Sequence, residues 1–178
     1  VEGLPERYAV FYGRIGEEKG IRVLMKVWEQ FPDIPLVVMG GGPLEEEFKA
    51  WADGKDNIYI LGYTQHDKCL SIVKGGEFVV FPSIWYEGCS MVEIETESLG
   101  KALVATDLGF SVEAIENGVN GYKVKLGDTD EFVQTIKSLW NNPEKCQVMG
   151  QNARADYEAK YLPEDNYKQL MAIYKRLI

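Results

Sequence analysis

Residues 78–100 read FVVF followed by PSIWYEGCSMVEIETESLG, and the remainder of the chain is organised around them. Phe78 to Phe81 form a continuous apolar run, the pattern of a strand buried on both faces. Pro82 opens a turn, and a helix is predicted to follow as far as Gly100. On a wheel of about 100° per residue, Met91, Val92, Ile94 and Leu99 fall on one side, the face expected to meet a sheet. Glu93 and Glu97 fall opposite and are expected in water. Glu95 lies near the centre of the apolar arc, where a carboxylate is costly unless something hydrogen-bonds it. Either it reaches an exposed rim or a lysine, or it faces a cleft at the strand end and holds a polar ligand. Glu87 stands eight positions earlier, at or just before the helix start. Gly88, Cys89 and Ser90 are expected to supply the first free N–H groups of the helix, which with its dipole favour an anion. The two carboxylates and these amides would bracket a pocket.

The 178 residues suffice for one domain with a sizeable core, and 46% hydrophobic with 26% charged residues is ordinary for a soluble globular chain. A net charge of -9 argues against nucleic acid or an anionic membrane surface as the main partner. No apolar run approaches about 18 residues, so no spanning segment is expected. No stretch reads as a signal peptide, and the first residue, Val1, suggests an excised or processed piece. Cys69, Cys89 and Cys146 are far apart and form no CxxC pair, which points to a reducing, cytoplasmic compartment rather than to disulfides or zinc. His66 is the only histidine, which leaves no basis for a histidine triad or a multi-histidine metal site.

Strand-like runs recur along the chain at Tyr8–Tyr12, Leu36–Met39, Ile58–Gly62, Phe78–Phe81, Leu103–Thr106 and Tyr122–Val124. Helical spacing separates them: Ile21 to Phe31, a segment with Leu44, Phe48 and Trp51, and one around Cys69 to Val73 for which Thr64 is the predicted N-cap. A short helical turn is predicted over Val112–Glu116, and Asn117-Gly118 and Asn120-Gly121 mark tight turns. Three helices close the chain, over Asp128–Trp140, from Pro143 to about Tyr157 and from about Glu164 to Ile178, whereas residues 1–7 read as a linker. The alternation predicts an α/β domain of three layers, a mainly parallel sheet of about six strands between helices, with a helical C-terminal segment. In such sheets ligands bind at the carboxyl ends of the strands. Gly13, Gly40, Gly62, Glu87 and Gly109 would all gather there.

The run Gly13-Arg14-Ile15-Gly16-Glu17-Glu18-Lys19-Gly20 fits neither GxGxxG nor a P-loop. Arg14 leaves a strand end and Lys19 enters a helix start. They read either as solvated cations balanced by Glu17 and Glu18 or as a two-cation clamp on a diphosphate. Gly40 to Pro43 is a flexible turn or a place of close backbone approach to a ligand. Gly62 and Tyr63 read either as a surface tyrosine beside a helix cap or as backbone groups or a ring presented to a nucleobase. Gly109 and Phe110, with Ser111 and Glu113, form a turn or donate to a phosphate or sugar. Cys89, without a histidine nearby, is a poor candidate for an activated thiol.

Glu87-Gly88-Cys89-Ser90-Met91-Val92-Glu93-Ile94-Glu95 resembles the E-x7-E signature of retaining glycosyltransferases of the GT-B fold, family 4 (group 1). Gly13-Arg14 with Lys19-Gly20, Gly40 to Pro43, Pro82-Ser83, Gly100 to Thr106, Glu113-Ala114-Ile115 and Asn120-Gly121 resemble further elements of that family in the same order. The resemblance covers about residues 8–125. It implies a Rossmann-like domain, the C-terminal donor-binding half of a two-domain enzyme whose acceptor-binding N-terminal half is absent from this chain. By similarity, Arg14 and Lys19 hold the diphosphate and Glu87 contacts the transferred sugar, and these three would be the catalytic set. Glu95 accepts from the ribose hydroxyls. Gly88, Cys89, Ser90 and Met91, with Gly109 and Phe110, meet phosphate or sugar oxygens, and Gly13, Gly62 and Tyr63 line the rest of the donor site. The last helix would pack toward the missing half, leaving Leu170, Ile173 and Tyr174 partly stranded. Cys89, Ser90, Ala102 and Phe110 depart from residues frequent in the family, which bears on sugar preference and loop shape.

The implied reaction transfers a hexose from a nucleotide-diphosphate sugar to a glycan or lipid-linked acceptor, through an oxocarbenium-like state as the diphosphate leaves. Two side-chain cations and a helix N-terminus can stabilise that leaving charge. With no DxD motif and no ligand cluster, the expectation is metal-independent transfer without a cofactor and with retained configuration. Internal return and a covalent glycosyl-enzyme both stay open as routes to retention. A nucleotide-sugar epimerase or phosphorylase on the same architecture, or a non-catalytic sugar-nucleotide-binding subunit, are the alternatives. The isolated chain is expected to bind donor weakly and not to turn over.

Overall fold

Six short, largely apolar runs form the strands, the first four of them closed by a glycine or proline: β1 (Ala9–Tyr12), β2 (Leu36–Met39), β3 (Ile58–Gly62), β4 (Phe78–Phe81), β5 (Ala102–Thr106) and β6 (Gly121–Val124). The structure, a computed structural model, describes residues 3–177. Residues 1 and 2 of the predicted linker, and Ile178 at the end of the last predicted helix, lie outside the described residues. Every pairing between the strands is parallel, in the order β3-β2-β1-β4-β5-β6. The order reverses between β1 and β4, where Val10 pairs with Val79, so the topological switch point falls between the stretch quoted first and the Gly13–Gly20 run.

The helices are α1 (Ile21–Trp28), α2 (Glu45–Ala52), α3 (His66–Gly75), α4 (Met91–Ser98), α5 (Ser111–Ala114), α6 (Thr129–Trp140), α7 (Pro143–Lys160) and α8 (Pro163–Leu177). Alternate strand residues feed two cores. Phe11, Phe78 and Val80 pack with Leu24, Trp28, Phe48, Phe132 and Ile136 on one face of the sheet. Val10, Val79 and Phe81 pack with Ile72, Val73 and Ala114 on the other, where Val92 and Leu99 of α4 join them. This is the predicted three-layer α/β domain.

Four local expectations change. Helix α1 ends at Trp28, three residues before Phe31, and Phe31 packs edge-on against the Trp28 ring from the following turn. Thr64 is not an N-cap: Gln65 holds that position, and the Thr64 hydroxyl donates instead to the Gly62 carbonyl at 3.2 Å. The short helix begins at Ser111, one residue early, and stops at Ala114. The largest change concerns α4. Its predicted water face is buried, with Glu93 0% and Glu97 3% exposed, whereas Met91 of the predicted sheet face is 60% exposed. Helix α7 packs along α4, so the wheel's outer face meets protein.

Candidate functional site

The first turns beyond β1, β2 and β3 are drawn together by backbone. Gly40 N–H donates to the Gly62 carbonyl at 2.8 Å and Gly13 N–H to the Met39 carbonyl at 3.0 Å. Gly40 adopts φ +129°, and a Cβ there would overlap the Gly13 carbonyl, so this approach requires glycine. Above these turns lies a cleft of about 380 Å³ lined by Tyr12, Gly13, Arg14, Met39, Gly40, Gly41, Tyr63, Thr64, His66 and Cys69. A larger hollow of about 550 Å³ runs along the outside of β3, with Leu4, Tyr59 and Lys68 in its wall. Lys68 is its one charged lining residue, whereas the smaller cleft has Arg14 in its wall and His66 in contact with Glu95, so the smaller cleft is the candidate site.

Glu95 reaches this cleft through His66, whose Nε2 stands 3.7 Å from its Oε1. Its carboxyl is half-buried. Burial raises its pKa, and the charge of His66 and the hydroxyl of Tyr12 counter that rise. Tyr12 sets the helix position: its hydroxyl donates to the Val92 carbonyl at 2.8 Å and meets Thr96 Oγ1 at 3.1 Å. Burial pushes this phenol far above its ordinary pKa, so it remains a neutral tie between β1 and α4.

Across the switch point, Lys19 and Glu87 form an ion pair of 2.6 Å, with side chains 20% and 18% exposed. Lys19 ends a 3₁₀ turn over Glu17–Lys19, and its ammonium lies 5.2 Å from the centre of the Phe81 ring. The Ser83 hydroxyl lies 3.2 Å from the same Glu87 oxygen and 3.0 Å from the Glu18 carbonyl. Ile84 N–H also donates to the Glu18 carbonyl, at 3.0 Å, so the loops after β1 and β4 are bonded together. Gly109 packs on the Glu87 backbone, where a Cβ would come within 2.6 Å of its carbonyl oxygen. Phe110 N–H donates to that carbonyl at 2.8 Å.

The predicted residues therefore fall into two adjoining groups. Gly13, Arg14, Tyr63 and, through His66, Glu95 surround the cleft, with Gly62 bonded beneath it. Lys19, Glu87, Gly109 and Phe110 form the second group. Arg14 and Lys19 are not a matched pair: Arg14 is exposed and 3.5 Å from Glu18, while Lys19 is held by Glu87. Gly88 and Cys89 belong to the loop before α4 rather than to its first turn. Ser90 is the N-cap, accepting from Glu93 N–H at 3.4 Å, and Met91 is the first helical residue. Cys89 is an exposed free thiol. Among the described residues, no group of three His, Cys, Asp or Glu is arranged to hold a metal ion.

Tyr12, His66 and Ser83 were not singled out as site residues. His66 carries no local signal beyond being a polar residue just after a strand end. Tyr12 has one, since a tyrosine closing a buried strand needs a partner for its hydroxyl.

The model of the family "Glycosyl transferases group 1" matches residues 2–156. The chain belongs to that family. Among curated relatives it is 30% identical over 183 aligned residues to the alpha-D-kanosaminyltransferase of Streptomyces kanamyceticus, covering 98% of this chain and 47% of the relative. The chain thus spans about half the length of the curated relatives it matches. Two solved structures share the fold. HepE of Anabaena, in complex with UDP, superposes with a TM-score of 0.87 at 20% identity, over 96% of this chain and 49% of that one. The C-terminal domain of a glycosyl transferase group 1 family protein of Francisella tularensis superposes with a TM-score of 0.73 at 22% identity, over 88% of this chain and 86% of that one. Among the described residues of this group 1 chain, no helix is long and apolar enough to cross a membrane.

Proposed function

We propose that this chain is the donor-binding, C-terminal domain of a retaining glycosyltransferase that moves a hexose from a nucleotide-diphosphate sugar to a glycan or lipid-linked acceptor. The observation that carries this reading is the gathering of Arg14, the Lys19–Glu87 pair and Glu95 around one switch point, bound together by the loop from Gly13 to Gly20. The family assignment, the UDP bound to the Anabaena relative in fold and the near end-to-end match to a solved C-terminal domain support it.

Glu95 accepts hydrogen bonds from the ribose hydroxyls, with His66 beside it, and Tyr63 lies near the base. The diphosphate runs from Arg14 toward Lys19 and the amides before α4. An anion arriving there competes with Glu87 for Lys19. As the ammonium turns to the diphosphate, the Glu87 carboxylate is released toward the sugar, held by the Ser83 hydroxyl. As the sugar–phosphate bond breaks, the charge growing on the leaving diphosphate meets a cation already in place, which lowers the barrier. The acceptor and the exclusion of water come from a second domain that closes over this one, so the chain alone binds donor without turnover. Three free cysteines and a nucleotide-sugar substrate support a cytoplasmic enzyme, peripheral to the membrane where the acceptor is lipid-linked.

Calorimetric titration of the chain with UDP, GDP and ADP tests the reading. One nucleotide is expected to bind, with affinity falling about tenfold or more in Arg14→Ala and in Lys19→Ala. Equal affinity in both variants, or no binding of any of the three, overturns the reading.

A further inference from the structure

Glu93 and Glu97 stand one turn apart on α4, on either side of Glu95 in sequence, and the function proposed above uses neither. Both are buried, and neither oxygen of Glu93 nor Oε2 of Glu97 has a hydrogen-bond partner. A carboxylate in that situation keeps its proton or forces the structure open. The surroundings offer no spare cation. Glu93 faces the hydroxyls of Ser90 and Ser111, which stand close without bonding geometry, and beyond them Glu87 and Lys19 from the loops. Lys19 is already taken by Glu87 at 2.6 Å. Glu97 faces Asp156 and Lys160 of α7, and Lys160 is already taken by Asp156 at 3.2 Å. Tyr161, just past the end of α7, faces both carboxyls. On the other side of α4, Tyr12 and His66 serve Glu95.

We propose that Glu93 and Glu97 are positioning residues forming a proton-dependent latch. Protonated, they let α4 seat against α5 and α7 with Glu87 and Glu95 in place. On losing their protons to solvent they drive α4 outward and compete for Lys19 and Lys160. Burial pushes Glu93 up to about 7, and burial together with Asp156 pushes Glu97 up to about 8, so the latch opens as pH rises through neutrality. Glu93 sits behind the Lys19–Glu87 pair, and its ionisation weakens that pair directly. The link to donor affinity rests on the site reading above, whereas the latch does not.

Two measurements separate these levels. Hydrogen exchange of the 178-residue chain is followed at about pH 6.5 and about pH 9, corrected for intrinsic exchange, beside Glu93→Gln/Glu97→Gln and Glu93→Met/Glu97→Met. UDP affinity is measured on the same samples, and the titration of UDP itself is common to all of them. Protection of α4 is expected to fall about tenfold more between the two pH values in the native chain than in either double variant. UDP affinity is expected to fall about fivefold or more over the same range in the native chain alone. The methionine pair keeps the test open should buried amides prevent folding. Equal loss of protection in native chain and folded variant overturns the latch. Loosening of α4 with unchanged UDP affinity overturns the positioning role. Absence of binding of UDP, GDP and ADP alike in every sample counts against the site reading, and the exchange result still decides the latch.

Discussion

Helices α1 and α4 are each eight residues long, and each follows a loop leaving one of the two central strands at the switch point. One obeys the helical wheel and the other does not. In α1 the buried residues Ile21, Leu24, Val27 and Trp28 form one stripe, and Arg22 and Lys26 face out. In α4 the buried residues are Glu93, Thr96 and Glu97. The difference lies in what covers each helix. Helix α1 has one strongly apolar face to bury and a polar face left to water. Helix α4 packs against both β5 and the long α7, so even its polar face is enclosed. Amphipathicity predicts orientation only for a helix with a single covered side.

The largest expected effect tests the α1 side. Trp28→Ala removes a fully buried ring whose Nε1–H donates to the Ile34 carbonyl, and should cost about 3–5 kcal/mol in chemical denaturation. On the α4 side the sign reverses. Glu97→Met replaces a buried acid without a partner on one oxygen by an apolar chain of similar volume, and should stabilise by about 1–4 kcal/mol at pH 8. The same acids give the native chain an unusual pH profile. Folded Glu93 and Glu97 titrate at about 7 and about 8 against an ordinary value of 4.5, so unfolding releases protons between those limits. Their contribution is fully present below about 4.5, falls as pH rises, and levels off above about 8. Thermal melts should therefore show a midpoint declining from acid toward pH 8, and a flatter profile in Glu97→Met.

Two smaller effects sharpen the contrast between the helices' tethers. Tyr12→Phe deletes the hydroxyl tie from β1 to α4 and should cost about 1 kcal/mol, with α4 amides exchanging faster and α1 amides unchanged. Arg14→Ala, at an exposed cation with a loose contact to Glu18, should shift stability by less than about 0.5 kcal/mol. Under the proposed donor-site reading, its expected effect is a loss of nucleotide affinity, read by the titration above.

Most of the fold was legible because a parallel sheet is written in unbroken apolar runs. All six strands, and the helices between them, follow from runs such as Leu36–Met39 and Phe78–Phe81 and, for the first four strands, from the glycine or proline that ends them. The seating of α4 was not legible, because α7 lies some fifty residues further along and nothing in the local sequence announces it. Glu87 and Glu95 emerged from their spacing, and Arg14 and Lys19 from their place after a strand. That Lys19 would be held by Glu87, 68 positions away in the chain, is a tertiary fact with no local trace. Thr64 shows the limit of capping rules: its hydroxyl found a carbonyl closer than the helix start, and Gln65 was left as the cap without a side-chain bond.

Gly20 approaches the Pro82 carbonyl where any side chain would collide, and Glu18 accepts from Ile84 N–H nearby. The two segments are stitched edge to edge and would have to travel as a single plate. Inserting or deleting a residue in either would misalign an acid and a base simultaneously. The rim beyond β3 stands outside that seam: Tyr63 is 88% exposed, and the Thr64 hydroxyl turns back to the Gly62 carbonyl.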